Sequence, residues 1–159
     1  MNRRSTLALF VGLIGSATVL LEGNRMALAE SDADKLKATH EAFHNAISSL
    51  DMSKMEALWA HDADATLINP RDKSISVGWD AIKKDWEATF NANSELKVTS
   101  TDAHVHVSGN VAWVTGLAGV VGKLKTGAEL NAPTFEQTAF EKRGDQWLIV
   151  AHGAWRVPQ

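Results

Sequence analysis

The chain has 159 residues, 16 of them basic and 19 acidic, with six histidines, six tryptophans, no cysteine and no tyrosine. A net charge of −3 with no basic cluster repels a phosphate backbone and excludes nucleic acid as a partner. Without cysteine there is neither a disulfide nor an N-terminal cysteine to acylate, so stability rests on packing.

Residues 1–29 read as an export signal. Arg3 and Arg4 give a positive start, residues 7–21 form an uncharged apolar run, and Glu22-Gly23-Asn24-Arg25 break it. Ala27-Leu28-Ala29 then offers the small side chains that a signal peptidase pocket requires. The apolar run is shorter than the roughly 20 residues a spanning helix needs. The expectation is cleavage after Ala29 and no membrane attachment afterwards. Arg3-Arg4 also suits twin-arginine export, but Ser5-Thr6 lacks the large apolar residue usual there, so the general secretory route fits better. Removal of residues 1–29 takes three arginines and one glutamate, leaving 13 basic and 18 acidic residues. Residues 30–159 are then one periplasmic or secreted domain, long enough to bury roughly two-thirds of its unfolded surface.

In residues 32–50, Leu36, His40, Phe43, Ile47 and Leu50 recur every three or four positions, which predicts an amphipathic helix. Ser31 with Asp34 is a weak capping box for it. Ser53 with Glu56 is a better one, opening a short second helix with Met55, Leu58 and Trp59. Residues 65–69 read as a short strand ended by Pro70. After polar residues 71–76, Gly78 precedes a third helix that buries Trp79, Ile82, Trp86 and Phe90, ended by Asn91-Ala92-Asn93. From Leu96 onward the period becomes two. Residues 98–107, 111–123, 130–142 and 147–157 read as four strands, with turns at Ser108-Gly109-Asn110 and Arg143-Gly144-Asp145. Gly116, Gly119 and Gly122 predict a strand that bends or bulges. Helices followed by antiparallel strands mean an α+β fold, three helices packed on one face of a curved antiparallel sheet.

Several segments, in order, carry a resemblance. They are Leu58-Trp59-Ala60-His61-Asp62-Ala63-Asp64-Ala65, Asn69-Pro70, and Gly78-Trp79-Asp80-Ala81-Ile82 with Trp86. They continue with Gly109-Asn110-Val111-Ala112-Trp113-Val114-Thr115-Gly116 and Gly144-Asp145-Gln146-Trp147-Leu148-Ile149-Val150-Ala151-His152. Together they resemble the nuclear-transport-factor-2-like superfamily, nearest its SnoaL-like and ketosteroid-isomerase-like members. The resemblance covers essentially all of residues 30–159. It implies a cone-shaped half-barrel whose cavity serves isomerases, dehydratases, epoxide hydrolases or plain binding modules. It implies homodimers paired through the outer sheet face; the expected export, away from cytosolic cofactors, fits a pocket that uses no cofactor.

Ketosteroid isomerases use a base aspartate before a proline, and an oxyanion hole of a first-helix tyrosine and a protonated aspartate. On this chain those positions resemble Asn69, Phe43 and Glu136. Asn69 cannot accept a proton at neutral pH and Phe43 has no hydroxyl, so steroid isomerisation by that route is not expected. SnoaL-like members often carry a histidine in the last strand followed two residues later by serine. His152 matches, and Ala154 replaces the serine.

The expected cavity residues are Asn69, Trp79, Trp86, Trp113, Glu136, His152 and Trp155. Glu136 and His152 are the catalytic candidates. Burial is expected to raise the Glu136 pKa and suit it to acid–base work. The alternative for Glu136 is a solvated strand carboxylate, and for the tryptophans plain core packing. His104 and His106 share a strand face opposite Val105 and Val107, so they read as solvent- or interface-facing, not as zinc ligands. His40 and His44 have ligand-like helical spacing, but His40 lies on the buried stripe and packing is expected. No metal is expected. The expected occupant is a small apolar or amphipathic molecule, with a non-catalytic dimeric interaction or carrier module as the alternative.

Overall fold

The computed structural model describes residues 16–158, with side chains from residue 32 onward. The export signal expected over residues 1–29 lies outside the residues whose side chains are described. Three helices, α1 (Ser16–Ser48), α2 (Met52–Leu58) and α3 (Trp79–Ala92), pack on a sheet of six strands. The strands are β1 (Thr66–Ile68), β2 (Ser76–Val77), β3 (Asn93–Ser108), β4 (Val111–Leu124), β5 (Glu129–Arg143) and β6 (Gln146–Arg156). Their order is β2-β1-β6-β5-β4-β3, an open sheet. The four long strands are antiparallel as expected, but β1 runs parallel to β6. The sheet is therefore mixed. The expected α+β cone, with three helices on one face of a curved sheet, is the architecture observed.

The expected stripe of α1 is the one buried: Leu36, His40, Phe43 and Ile47 all face inward. The helix stops at Ser48, and Leu50 takes a left-handed backbone (φ 53°). The Asp51 amide then donates to the Ala46 carbonyl at 3.1 Å, the six-to-one bond of a Schellman ending. No glycine marks this stop, so the sequence reading ran two residues long. The second helix is capped by Asp51, whose carboxylate accepts from the Ser53 and Lys54 amides at 2.9 and 3.1 Å. The Ser53–Glu56 pair expected in that role sits inside the helix instead. Gly78, at φ 82°, precedes α3, which buries Ile82, Trp86 and Phe90 against Phe43 and the sheet.

The curvature comes from irregular pairing. Strand β3 carries one extra residue between Asn93 and Glu95 and another between Ser100 and Asp102. The expected bulges thus lie in the strand beside the glycine-rich one. At Gly116 of β4 an added Cβ would fall 2.2 Å from the Asp102 carbonyl oxygen, and at Gly122 2.3 Å from that of Glu95. Those two glycines let the bulged backbone approach closely. Gly119 has only one atom within 4 Å, at 3.9 Å.

Gly116→Ala should therefore lower unfolding free energy by about 1–3 kcal/mol, the range of an overpacked site. Gly119→Ala should change it by less than about 0.5 kcal/mol. Urea unfolding of the two variants checks this, and equal effects would contradict the close-approach account.

Candidate functional site

Alternation along β5 sends Ala132, Thr134, Glu136, Thr138 and Phe140 inward, all buried. Glu136 is only 3 % exposed, so the cavity reading of this residue holds over the solvated one. Along β6 the pairing skips a residue: Ala139 faces Ala151 while Phe140 faces Ile149. This bulge at Val150 changes the phase of the strand. Trp147 and Ile149 point inward before it, and His152 and Ala154 point inward after it. Without it, His152 would point away from the helices.

Helix α1 lays His40 and His44 over Glu136. The His44 Nε2 lies 2.9 Å from Glu136 Oε2, a hydrogen bond, and the His40 Nε2 lies 3.5 Å from Oε1. His152 Nδ1 bonds the Thr138 hydroxyl at 2.8 Å. Its ring packs edge-on to Phe43, with centroids 4.8 Å apart. Burial, then the neighbouring His44, push the His40 pKa down to about 4 against the pull of Glu136. Burial likewise pushes His152 down to about 3, against the same pull. Glu136 behaves differently from expectation. Burial does push it up, but the hydrogen bond from His44 and the surrounding histidines outweigh that, leaving its pKa below the ordinary glutamate value. It is a stabilised carboxylate rather than a poised acid.

A cavity of about 260 Å³ runs from this cluster to the surface. Ile47, Trp86, Leu96, Val98, Val120 and Leu130 supply its apolar wall; His44, Glu136 and His152 supply polar groups, and the exposed Arg71 and Arg156 stand at its edge. Asn69 also lines it but is held in a separate network. Its Nδ2 donates to Asp85 Oδ1 at 3.1 Å, and Asp85 also accepts from the Ser76 hydroxyl at 3.1 Å. Its backbone amide donates to Asp72, whose pKa is raised by burial and, further, by the charge of Asp85 beside it.

Four of the seven expected cavity residues, Asn69, Trp86, Glu136 and His152, line the same cavity. The other three do not. Trp155 stands three residues from His152 on one strand, so it faces the opposite side, 48 % exposed. Trp113 lies between inward-facing Ala112 and Val114, and stacks outside on His106 with centroids 4.1 Å apart. Trp79, at the first turn of α3, stacks on His61 at 4.3 Å, away from the cavity. His104 and His106 face outward as expected; His104 pairs with Asp102 at 3.0 Å. His44, expected with His40 only to pack, lines the cavity and bonds Glu136. The polar partner of Glu136 comes from the residue after Phe43, where the resemblance placed the isomerase hydroxyl. Arg71 and Asp85 gave no signal at all.

The SnoaL-like domain family matches residues 36–154. No curated protein matches the chain. Among solved structures, a candidate dehydratase of the NTF2-like family from Streptomyces avermitilis superposes with a TM-score of 0.75 at 18% identity, covering 82% of this chain and 99% of that one. An NTF2-like superfamily protein from Salmonella enterica serovar Typhimurium gives 0.75 at 16%, covering 82% and 94%. A ketosteroid isomerase-like protein from Erwinia carotovora atroseptica gives 0.68 at 18%, covering 80% and 98%. At these identities the likeness is one of fold.

The burial of His152 has a consequence for stability. In the unfolded chain the ring titrates near 6.5, and in the folded protein at about 3. Between those values the unfolded chain holds a proton that the folded one refuses. Its contribution is therefore complete above pH 6.5 and falls by up to about 1.4 kcal/mol per unit as the pH drops below it. Urea unfolding at pH 7 and pH 5 should show this loss, and His152→Gln should show a shallower one. Identical pH dependence in both proteins would mean that the ring is not held neutral.

Proposed function

The chain belongs to the SnoaL-like domain family, and on that basis we propose that it is an exported domain that binds a small apolar or amphipathic molecule inside its cone. The observation that carries this is an apolar cavity of about 260 Å³ ending on a buried carboxylate flanked by histidines. An apolar wall with a few convergent polar groups is the usual form of a ligand site. The apolar body of the ligand lies along Trp86, Leu96 and Val120, and an oxygen on it meets His44, Glu136 and His152. The chemistry in keeping with this placement is an isomerase, lyase or hydrolase reaction at that oxygen. The dehydratase and isomerase names among similar structures belong to the same range of reactions. The ketosteroid-isomerase route is not part of the proposal, because Asn69 is tied to Asp85 and Phe43 offers no proton. Removal of the signal after Ala29 would deliver the domain to the periplasm or the exterior.

Apolar compounds bearing one hydroxyl or carbonyl, steroid-like ketones included, should raise the melting temperature by several degrees. At a hundred times Kd the stabilisation is about 2.7 kcal/mol. Ala132→Phe fills the cavity and should abolish the shift. A library with no effect on the wild-type protein, or an undiminished shift in a folded Ala132→Phe protein, would contradict the proposal.

A second feature supports a homodimer. The outer sheet face leaves Trp113, Phe135 and Trp155 exposed, with Val111 and Val121 exposed along β4, and Phe135 and Trp155 are register partners across β5 and β6. Clustered apolar exposure of this kind marks an interface, and we assign it to a second copy of the chain. Sedimentation should show a dimer at micromolar concentration, weakened at least tenfold in Phe135→Arg. A monomeric wild-type protein would contradict the assignment.

A further inference from the structure

His40 and His44 stand one helical turn apart on α1 with ring centroids 4.4 Å apart. Both present Nε2 to the single carboxylate of Glu136 on β5, at 3.5 and 2.9 Å. Only His44 completes a hydrogen bond. Among the described residues the Nε2 of His40 and Oε1 of Glu136 have no hydrogen-bond partner, and both atoms are sealed from solvent. Two facing, unpaired polar atoms in a protein interior call for an explanation, because buried polar groups are nearly always satisfied.

Donor atoms of His40, His44 and Glu136 all fall within 4.8 Å of one another. An ion with bonds of about 2.1 Å has ligand–ligand edges of about 3.0 Å in an octahedron and about 3.4 Å in a tetrahedron. The contacts of His44 with Oε2, 2.9 Å, and of His40 with Oε1, 3.5 Å, lie close to those edges, one to each oxygen of the carboxylate. We propose that His40, His44 and Glu136 form a site for a divalent first-row transition ion, with zinc as its simplest occupant. Two imidazoles and a carboxylate suit such an ion better than magnesium or calcium, which prefer oxygen alone. Ligation would satisfy both unpaired atoms at once.

The placement gives the ion a task. His44 and Glu136 line the cavity while His40 stands behind them. Three protein ligands would leave at least one coordination position on a cluster two of whose members line the cavity. A water or the ligand's oxygen would complete the shell, the arrangement in which zinc activates water or polarises a carbonyl. His152 lies outside the group of three whose donor atoms converge; its Nδ1 is bonded to the Thr138 hydroxyl. The site goes beyond the ligand-binding reading, and does not depend on which molecule fills the cone.

The test is zinc titration of the full chain after chelator treatment, by calorimetry and by competition with a chromophoric chelator. One equivalent should bind with Kd in the micromolar range or tighter. His40→Gln and Glu136→Gln should each weaken binding at least 100-fold while keeping the wild-type circular dichroism. His104→Ala with His106→Ala should bind as the wild type does, which separates the buried site from the exposed strand histidines. Should the buried-site variants fail to fold, histidine ring NMR of the wild-type protein decides: zinc should shift His40 and His44 and leave His104 and His106 in place. Binding no tighter than millimolar would overturn the proposal. So would binding that survives His40→Gln but disappears in the His104, His106 variant, or zinc-induced shifts confined to His104 and His106.

Discussion

A carboxylate enclosed in a protein must be paired, and the interior of this cone is arranged around that requirement. Taking Glu136 out of water is opposed by several kcal/mol before any partner is supplied. The partner comes from α1, through His44 at 2.9 Å, with His40 beside it. This polar contact crosses from the helix layer to the middle of the sheet. It shares the inward face of α1 with Leu36, Phe43 and Ile47. The neutral state of His40 and His152 belongs to the same logic, since burial disfavours charge on either ring.

The sheet supplies the space that the cluster occupies. Extra residues in β3 and close backbone approach at Gly116 and Gly122 allow β3 and β4 to curve. The bulge at Val150 turns His152 inward. Helix α3 then closes the side with Trp86 and Phe90, leaving a cavity with an apolar wall and a polar end. Pairing and packing irregularities usually regarded as defects are here what produces the site. The chemistry at that end rests on a stabilised carboxylate, a geometry better suited to holding a partner charge than to releasing a proton.

Much of the fold was legible because its signals are local. The three-four spacing in residues 36–50, the switch to alternation after Leu96 and the turns at Gly109 and Gly144 each follow from near neighbours in the chain. What was not legible depends on contacts between distant segments. The parallel pairing of β1 with β6 leaves no mark in residues 66–68. Asp51 capped α2 in place of Ser53 because both offer the same acceptor chemistry two residues apart. Glu136 and His152 were named through the resemblance, and both line one cavity. The three tryptophans were misplaced because ring size says nothing of strand phase. Trp155 and His152, an odd number of residues apart, point to opposite sides of β6. His40 and His44 had the right spacing for a shared task, but only the fold shows the carboxylate they face.

The central claim is that Glu136 and His44 form one buried, energetically coupled unit. A double-mutant cycle with Glu136→Gln and His44→Gln, read by urea unfolding of the metal-free protein at pH 7, measures that coupling directly. Each single variant should be strongly destabilised and the double variant should lose less than their sum, with a coupling of at least about 1 kcal/mol. Additive losses within about 0.5 kcal/mol would show two side chains that merely lie close together, and would contradict it.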